Sequence, residues 1–322
     1  MAGSHPILLS VVVPCFNEQD CVEACHRQLN GILRDADIAS HEIIFVNDGS
    51  TDGTLDRLVG LQARDPHVVV IDLARNHGHQ LALSAGLALS RGARVFVIDA
   101  DLQDPPELLP EMMRLMDDGA DVVYGQRLTR KGESPFKNFT AKLFYRLLAR
   151  STAVDIPVDT GDFRLMSRAV VDVLNRMPEA HRFLRGMVAW VGFKQVPLHY
   201  ARAERFAGTT KYPFGKMLRL ALDAMTAFAT APLRFAFGIA LFAVFLAVVL
   251  LGWSVYVYFF YDAVPGWASL MVVFLFFTAV QLFSVAIMGE YIGRIFIQTK
   301  GRPLFVIRKV YNVEADRTSR DG

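Results

Sequence analysis

Short apolar runs alternate with helix-like stretches through the first two-thirds of the chain. Between the runs, residues 18–34, 53–62 and 80–90 carry apolar positions at helical spacing. The runs themselves are rich in Val and Ile and have the length of buried strands; they lie at residues 8–13, 42–46, 68–72, 94–98 and 122–124. Strands that alternate with helices predict an α/β fold, with a mostly parallel sheet covered by helices on both faces.

The apolar pattern changes late in the chain. Residues 235–261 and 263–289 contain no charged side chain, and each stretch exceeds the about 20 apolar residues that cross a bilayer. Basic residues precede the first stretch and follow the second, whereas the turn between them carries only Asp262. Because basic residues mark cytoplasmic ends, the sequence predicts two membrane helices with both chain termini in the cytoplasm.

Four segments follow from these patterns. We expect a cytoplasmic α/β domain at residues 1–200, a juxtamembrane amphipathic segment at 201–234, a membrane hairpin at 235–289 and a cytoplasmic tail at 290–322. An ordinary surface helix of the soluble domain is the alternative for the second segment. No basic leader with a cleavage site precedes the first strand, so no secretory signal is expected.

Composition and charge disfavour several classes of protein. The net charge is only +2, which gives binding of nucleic acid no support. The glycine patterns of dinucleotide-binding dehydrogenases and of P-loop NTPases are not found. The three cysteines, Cys15, Cys21 and Cys25, are odd in number and lack a second cluster for zinc. Buried, unreactive thiols are therefore expected.

Acidic side chains follow the fourth predicted strand, in VFVIDADLQDPPE. If strand geometry persisted through Ala100, Asp99 and Asp101 would point to the same face of the sheet. Two carboxylates with phosphate oxygens form a site suited to Mg²⁺ or Mn²⁺. Such a metal would hold a diphosphate and neutralise its charge as it leaves.

Two other strand ends carry polar residues, in SVVVPCFNEQD and in IIFVNDGSTDGT. A capped turn between strand and helix explains Ser50, Thr51 and Asp52. It does not explain Asp48, whose carboxylate can accept hydrogen bonds from a base or a ribose. Because the carboxyl ends of parallel strands share one edge, the three clusters outline one pocket.

The stretches VVVPCFNE, FVNDGSTDGT, ARNHGHQLALSAGL and IDADLQDPPE, in this order and spacing, resemble a family 2 glycosyltransferase. VDTGDFRLMSR, ERFAGTTKYPFGK and two closing spans ending in MGEYIGRIF are similar to polyprenyl-phosphate glycosyltransferases. That group includes bactoprenol glucosyl transferases and dolichol-phosphate mannose synthases. The resemblance covers almost the whole chain. It implies a GT-A catalytic domain, Rossmann-like with a mostly parallel sheet, followed by interfacial helices and two transmembrane helices.

The resemblance also implies roles for matching positions. Contacts to the nucleotide sugar fall on Pro14, Glu18, Asp48, Asp99 and Gln103. Ligands of Mg²⁺ or Mn²⁺ fall on Asp99, Asp101 and Gln103, and cations for the acceptor phosphate on Arg127, Arg205 and Lys211. The catalytic set is Asp162 with Asp99 and Asp101. A lipid phosphate is mostly a dianion at pH 7, so Asp162 either positions the acceptor or tunes the arginines, with a general base as the alternative.

The implied reaction moves a hexose, glucose from UDP-glucose above others, to undecaprenyl phosphate with inversion. It would occur at the cytoplasmic leaflet of a bacterial inner membrane. Alternatives are another donor sugar (N-acetylglucosamine, aminoarabinose, or mannose from GDP) or a membrane scaffold that binds nucleotide sugars without catalysis. A processive synthase is disfavoured because no Q-x-x-R-W element is found. The resemblance further implies a homo-oligomer such as a tetramer, and the spacing of Gly289 and Gly293 fits close helix contact.

Overall fold

The structure, a computed structural model, describes residues 7–128, 160–201, 231–260 and 266–312. The described residues fall into two compact units. The first unit contains residues 7–128, 160–201 and 303–312, and the second contains 231–260 and 266–302.

The first unit is an α/β domain built on an eight-stranded sheet. Its strands are β1 (Leu9–Cys15), β2 (His41–Asn47), β3 (Val68–Leu73), β4 (Arg94–Val97), β5 (Val122–Arg127), β6 (Thr160–Ser167), β7 (Gln195–Tyr200) and β8 (Ile307–Tyr311). Its helices are α1 (Val22–Asp35), α2 (Thr54–Arg64), α3 (His79–Leu89), α4 (Leu109–Asp117), α5 (Arg168–Arg176) and α6 (Leu184–Trp190), with a 3₁₀ turn at Pro106–Leu108. The five predicted strands and three predicted helices are present, whereas β6, β7 and β8 were not predicted.

The strand order is β7-β5-β6-β4-β1-β2-β3-β8. Strand β1 pairs in parallel with β2 and β4, and β2 pairs in parallel with β3. Strand β6 runs antiparallel between β4 and β5, and β8 runs antiparallel along β3. The mostly parallel sheet is thus confirmed, and the carboxyl ends of β1 to β4 meet at one edge, where ligands of such sheets bind.

The core explains why the strands are mostly apolar. Every side chain of β1 and β3 is buried, because helices cover both faces of this part of the sheet. The ring of Phe96 on β4 meets that of Phe163 on β6 edge to face, with centroids 5.4 Å apart. Since neighbouring strand residues point to opposite faces, Phe163 in the core turns Asp162 to the other face.

The three cysteines are free and buried, as predicted. Cys15 ends β1, Cys21 precedes α1, and Cys25 lies within α1. Burial raises the pKa of Cys21 to about 11, and it raises the pKa of Cys25 as well. These thiols therefore stay protonated near neutral pH and act as small apolar side chains.

The end of β4 differs from the expectation. Strand geometry was to continue through Ala100, but β4 ends at Val97, and a turn follows. Leu102 adopts a positive φ of 55°, and the backbone N–H of Gln103 donates to Oδ1 of Asp101 at 3.2 Å. A turn, rather than strand alternation, brings the two acids to the edge of the sheet.

The segment expected to be a tail, residues 290–322, contains regular structure. It includes the last turns of the second apolar helix and, further on, strand β8. Strand β8 pairs with β3, whose outer edge otherwise offers unpaired backbone N–H and C=O groups. Residues 307–311 are therefore part of the sheet of the first unit.

The second unit consists of helix α7 (Ala231–Phe260) and helix α8 (Trp267–Thr299). Both are long and apolar enough to cross a membrane, with mean hydropathies of 2.6 over Ala236–Trp253 and 1.4 over Phe276–Thr299. Large apolar side chains such as Phe245 and Leu282 are exposed on them. A core helix of a soluble domain would bury such side chains, so the exposure favours a lipid environment.

Gly86 on α3 lies against the sheet, and a Cβ there would collide with Val12 and lie 3.2 Å from Cγ2 of Val46. We predict that Gly86→Ala lowers the free energy of unfolding by about 1–3 kcal/mol through overpacking. Gly60→Ala on α2 is the matched control, because the nearest atom is the tip of Arg64 at 4.0 Å. Thermal unfolding in detergent checks both variants, and equal unfolding temperatures would contradict this packing.

Candidate active site

The end of β1 contributes Pro14 and Glu18. Pro14 lies near the end of β1, opposite Val46 of β2. Glu18 follows in the next turn, where its backbone N–H donates to Oγ1 of Thr54 at 2.9 Å. Burial raises the pKa of the Glu18 carboxyl, and the charge of Asp101 adds to the rise. Glu18 is thus electrostatically coupled to the acids that follow β4.

Asp48 is held by the loop that follows β3. Its carboxylate accepts the backbone N–H of His77 at 2.7 Å and that of Gly78 at 2.9 Å. Gly78 has a φ of 95°, which side chains disfavour. Burial raises the pKa of Asp48, and the two amides oppose that rise. The backbone therefore fixes the carboxylate, and its remaining lone pairs are available to a ligand.

Asp99 and Gln103 present buried oxygen atoms that receive no hydrogen bond. Oδ1 of Asp99 and Oε1 of Gln103 have no donor among the described residues. Burial raises the pKa of Asp99 to about 6, although the nearby His79 opposes the rise. A buried oxygen without a donor costs free energy, and hard divalent cations bind such oxygens. These two atoms fit a divalent cation.

The described residues alone do not supply a full set of metal ligands. Over the described ranges, no group of three or more His, Cys, Asp or Glu side chains has the arrangement of a metal site. Asp101, the third predicted ligand, lies in the same turn and accepts the backbone N–H of Gln103. A cation held by one or two carboxylates with substrate phosphates is the usual form of a Mg²⁺ site.

Arg127, at the end of β5, is engaged by an acid and a phenol. Its Nη2 lies 3.2 Å from Oδ1 of Asp104, and its Nε donates to the hydroxyl of Tyr200 at 3.1 Å. Tyr200 donates in turn to the Asp104 carboxylate. Although burial acts to lower it, the pKa of Arg127 is raised by Asp104 and Tyr200. The predicted phosphate-binding cation is therefore already compensated, and its side chain is 27% exposed.

Asp162 is a buried carboxylate surrounded by donors. Nε of Arg185 lies 3.2 Å from Oδ1, and Nε2 of His79 lies 3.2 Å from Oδ2. Gln80 donates to Oδ2 at 3.0 Å, and Nη2 of Arg164 lies 3.6 Å from Oδ1. The side chain is only 4% exposed, so these groups replace its hydration.

The charge balance keeps Asp162 ionised. Although burial acts to raise it, the pKa of Asp162 is held well below its usual range by Arg185, His79 and Arg164. Burial in turn lowers the pKa of Arg164 to about 10. A carboxylate with so low a pKa is a poor proton acceptor at neutral pH. The arrangement favours a positioning role for Asp162 over that of a general base.

His79 connects the two acid groups of the site. Helix α3 begins at this residue, and its Nε2 lies 3.2 Å from Oδ2 of Asp162 and 3.6 Å from Oδ1 of Asp99. Although burial acts to lower it, the pKa of His79 is raised by both acids. The side chain is 43% exposed, so part of the imidazole is accessible to a ligand.

The structure brings together eight of the ten predicted site residues. Arg205 and Lys211 lie outside the described residues. His79, Gln80, Asp104, Tyr200 and Arg185 had no predicted role. His79 and Gln80 stand in the quoted stretch ARNHGHQLALSAGL, and Asp104 in IDADLQDPPE. No local sequence pattern marks Arg185 as a site residue. It lies 23 residues from Asp162 in the chain, and only the fold brings the two side chains together.

Known proteins resemble this chain closely. Residues 10–174 match the family described as Glycosyl transferase family 2. The chain is 44% identical to an uncharacterized glycosyltransferase of Bacillus subtilis, YkcC, over 99% of this chain and 98% of that protein. It is 39% identical to the prophage bactoprenol glucosyl transferase homolog of Escherichia coli, over 94% of this chain and 99% of that protein. The SfII prophage-derived bactoprenol glucosyl transferase of Shigella flexneri is 38% identical, over 94% of this chain and 97% of that protein.

Gly161 has no side chain, and the guanidinium of Arg127 lies in the space that a side chain there would need. A Cβ at Gly161 would lie 2.8 Å from Nη2 of Arg127 and 3.5 Å from Oδ2 of Asp104. We predict that Gly161→Ala displaces the guanidinium from Asp104 and Tyr200, and that the loss of these charged hydrogen bonds lowers the free energy of unfolding by about 1–3 kcal/mol. A double-mutant cycle with Arg127→Ala, followed by thermal unfolding, checks the cause. In the Arg127→Ala background, Gly161→Ala should lower the free energy of unfolding only slightly. An equal decrease in both backgrounds would contradict the contact between Gly161 and Arg127.

Proposed function

Because the chain belongs to glycosyl transferase family 2, we propose that it transfers a hexose from a nucleotide sugar to undecaprenyl phosphate. It is a glycosyltransferase with a GT-A-like α/β fold, which confirms that part of the prediction. The observation that carries the proposal is a pair of buried oxygens, on Asp99 and Gln103, that receive no hydrogen bond from any described residue, at the edge where Asp48 is fixed. Such an edge suits a nucleotide diphosphate, and the named bactoprenol relatives support the lipid acceptor.

The donor is proposed to lie along the carboxyl ends of β1, β2 and β4. Pro14, Glu18 and Asp48 would contact the nucleotide, and Asp48 has lone pairs left for a base or ribose. Asp99 and Gln103 would lie at the diphosphate. UDP-glucose is the donor we favour, in line with the glucosyl transferase names of the relatives.

Asp99, Asp101 and Gln103 are proposed to hold Mg²⁺ or Mn²⁺. When bound, the cation would neutralise negative charge on the departing nucleoside diphosphate. Ionisation of Asp99 is disfavoured by burial, which raises its pKa to about 6. The carboxylate form needed for binding a cation is therefore expected to grow as the pH rises through about 6.

The acceptor is proposed to approach from the side of Asp162. A phosphate oxygen would attack the anomeric carbon while the bond from that carbon to the diphosphate oxygen breaks, so the configuration inverts. The phosphate is already mostly dianionic at pH 7 and needs no general base. Asp162 would hold Arg185 and His79, which are 35% and 43% exposed, toward the reacting phosphates. Cations held in place before reaction lower the repulsion between two phosphate-bearing substrates.

The remaining acceptor contacts and the membrane arrangement are also proposals. Arg205 and Lys211 would add positive charge for the lipid phosphate, and Arg127, whose charge is compensated by Asp104, would contact that phosphate through the exposed part of its side chain. Helices α7 and α8 would anchor the enzyme in the inner membrane with both termini in the cytoplasm. The arrangement suits an acceptor whose prenyl chain stays in the bilayer. A homo-oligomer, with Gly289 and Gly293 at a helix contact, completes the proposal.

A transfer assay tests the proposed function. The purified chain in detergent is given undecaprenyl phosphate with radiolabelled UDP-glucose, UDP-N-acetylglucosamine, UDP-aminoarabinose or GDP-mannose. We expect label in the lipid phase only when lipid phosphate is present, and most label from UDP-glucose. If another nucleotide sugar gave the most label, only the identity of the transferred sugar in the proposal would change. Binding of nucleotide sugars without lipid-linked label from any donor would instead support a non-catalytic scaffold.

Asp101→Asn tests the proposed cation site. We predict at least about a 10²-fold loss of turnover, because a neutral amide is a poor ligand for a hard cation. Asp118→Asn is the control, since this acid is 63% exposed and its ion pair with a described residue is to Arg114, one helical turn away. Chelation by EDTA should abolish wild-type activity, and added Mg²⁺ or Mn²⁺ should restore it. Full activity in EDTA would show that the cation assignment is wrong.

Asp162→Asn tests the acceptor side. We predict a loss of turnover on the order of 10²-fold, because the cations around the carboxylate lose their fixed positions. Affinity for UDP should stay close to that of the wild type. The matched control is Asp172→Asn, at a half-exposed acid that pairs with Arg168 on α5. Weak UDP binding with unchanged turnover at saturation would move Asp162 to the donor side.

A further inference from the structure

Strand β8 brings a residue from the far end of the chain to the proposed donor site. Its register with β3 pairs Asp72 with Lys309 and Leu73 with Ile307. Arg308 is therefore the extra residue where the register shifts. Such bulges redirect a side chain out of the regular alternation of a strand.

The side chain of Arg308 reaches two groups at the end of β3. Its Nη2 donates to the carbonyl oxygen of Ala74 at 2.8 Å, and its Nη1 lies 3.5 Å from Oδ2 of Asp72. Asp72 is buried, whereas Arg308 is 60% exposed. The guanidinium thus covers a buried acid and the first residue of the loop after β3.

Asp72 connects the Arg308 side chain to the end of β2, which Asp48 directly follows. Oδ1 of Asp72 accepts a hydrogen bond from Nδ2 of Asn47 at 2.8 Å. Oδ1 of Asn47 accepts the backbone N–H of Ser50 at 3.3 Å. Asn47 and Ser50 flank Asp48 in the NDGS turn, so one side of that turn is linked through Asp72 to Arg308.

The loop after β3 forms the second connection. The backbone N–H of Ala74 donates to the carbonyl of Val306 at 2.8 Å, and the N–H of Val306 donates to Nε2 of His77 at 3.3 Å. The same loop presents the amides of His77 and Gly78 to the Asp48 carboxylate. Residues 306–308 therefore contact both ends of the loop that fixes Asp48.

The packing between this loop and the NDGS turn leaves little freedom. Nδ2 of Asn76 donates to the carbonyl of Asp48 at 3.2 Å. A Cβ at Gly49 would lie 2.5 Å from the backbone N of Asn76. A shift of the loop would therefore move Asp48 with it.

We propose that residues 306–308 are part of the donor site and that Arg308 is a positioning residue for a nucleoside diphosphate, acting through the loop that holds Asp48. This inference rests on the proposed function, because it concerns the same donor pocket. Residues 300–306 join β8 directly to the end of α8, so the donor site would include chain that follows the second apolar helix.

If Arg308 had a purely structural role, different results would be expected. An edge strand also protects a sheet from pairing with other chains, and removing one exposed side chain from it would change neither UDP affinity nor the loop. A positioning role predicts weaker binding of UDP, a higher KM for the nucleotide sugar and an unchanged kcat at saturation.

The experiment uses the full chain in detergent and measures UDP binding by calorimetry. Arg308→Ala should raise the Kd for UDP on the order of tenfold and lower the unfolding temperature only modestly, because Arg308 is 60% exposed and the buried Asp72 keeps its hydrogen bond from Asn47. Arg308→Lys should give an intermediate Kd, since one ammonium cannot replace a planar fork with two partners. Lys309→Ala is the matched control, as its Nζ lies over the ring of Tyr311 at 4.4 Å; it should bind UDP like the wild type.

Hydrogen exchange at the amides of His77 and Gly78 reports on the loop without any ligand. Exchange should be faster in Arg308→Ala and unchanged in Lys309→Ala. Wild-type UDP affinity and wild-type exchange in Arg308→Ala would overturn the inference and leave the proposed function intact. If the wild-type chain bound neither UDP nor any nucleotide sugar used in the transfer assay, the proposed function would be overturned, and the inference with it.

Discussion

Buried negative charge at one edge of the sheet is the constraint on which the site depends. A carboxylate removed from water must be paired or hydrogen-bonded. Asp48 receives two backbone amides, and Asp104 receives Arg127 and Tyr200. Asp162 receives the largest set of donors, with Arg185 and His79 among them. The loop after β3, helices α3 and α6, and the ends of strands β5 and β7 supply these partners.

This distribution of partners separates two kinds of oxygen. The acids that are compensated by amides or cations stay ionised and fix the positions of their partners. Asp99 and Gln103 keep buried oxygens with no donor among the described residues. Among the described residues, these oxygens, with Asp101 in the same turn, are suited to a cation. The proposed chemistry thus follows from which acids are already satisfied, because satisfied acids have little to gain from a metal.

The sequence predicted what depends on local pattern. Runs of Val and Ile identified β1 to β5, and acids after three of those strands indicated the edge. The convergence of Asp99 and Asp101 was expected from strand alternation, but a turn with Leu102 at positive φ produces it. Contacts between distant segments could not be predicted: Val306 reaches His77 across 229 residues, and Arg185 approaches Asp162 only because β6 enters the sheet between β4 and β5.

The most direct test of this account measures Mn²⁺ bound to the protein by electron paramagnetic resonance in the presence of UDP. Gln103→Leu removes a proposed ligand oxygen without changing charge. The account predicts one tightly bound Mn²⁺ per wild-type chain and much weaker binding in Gln103→Leu. Asn in place of the exposed Asp118 should leave binding unchanged. Binding of Mn²⁺ to Gln103→Leu with wild-type affinity and stoichiometry would contradict the account.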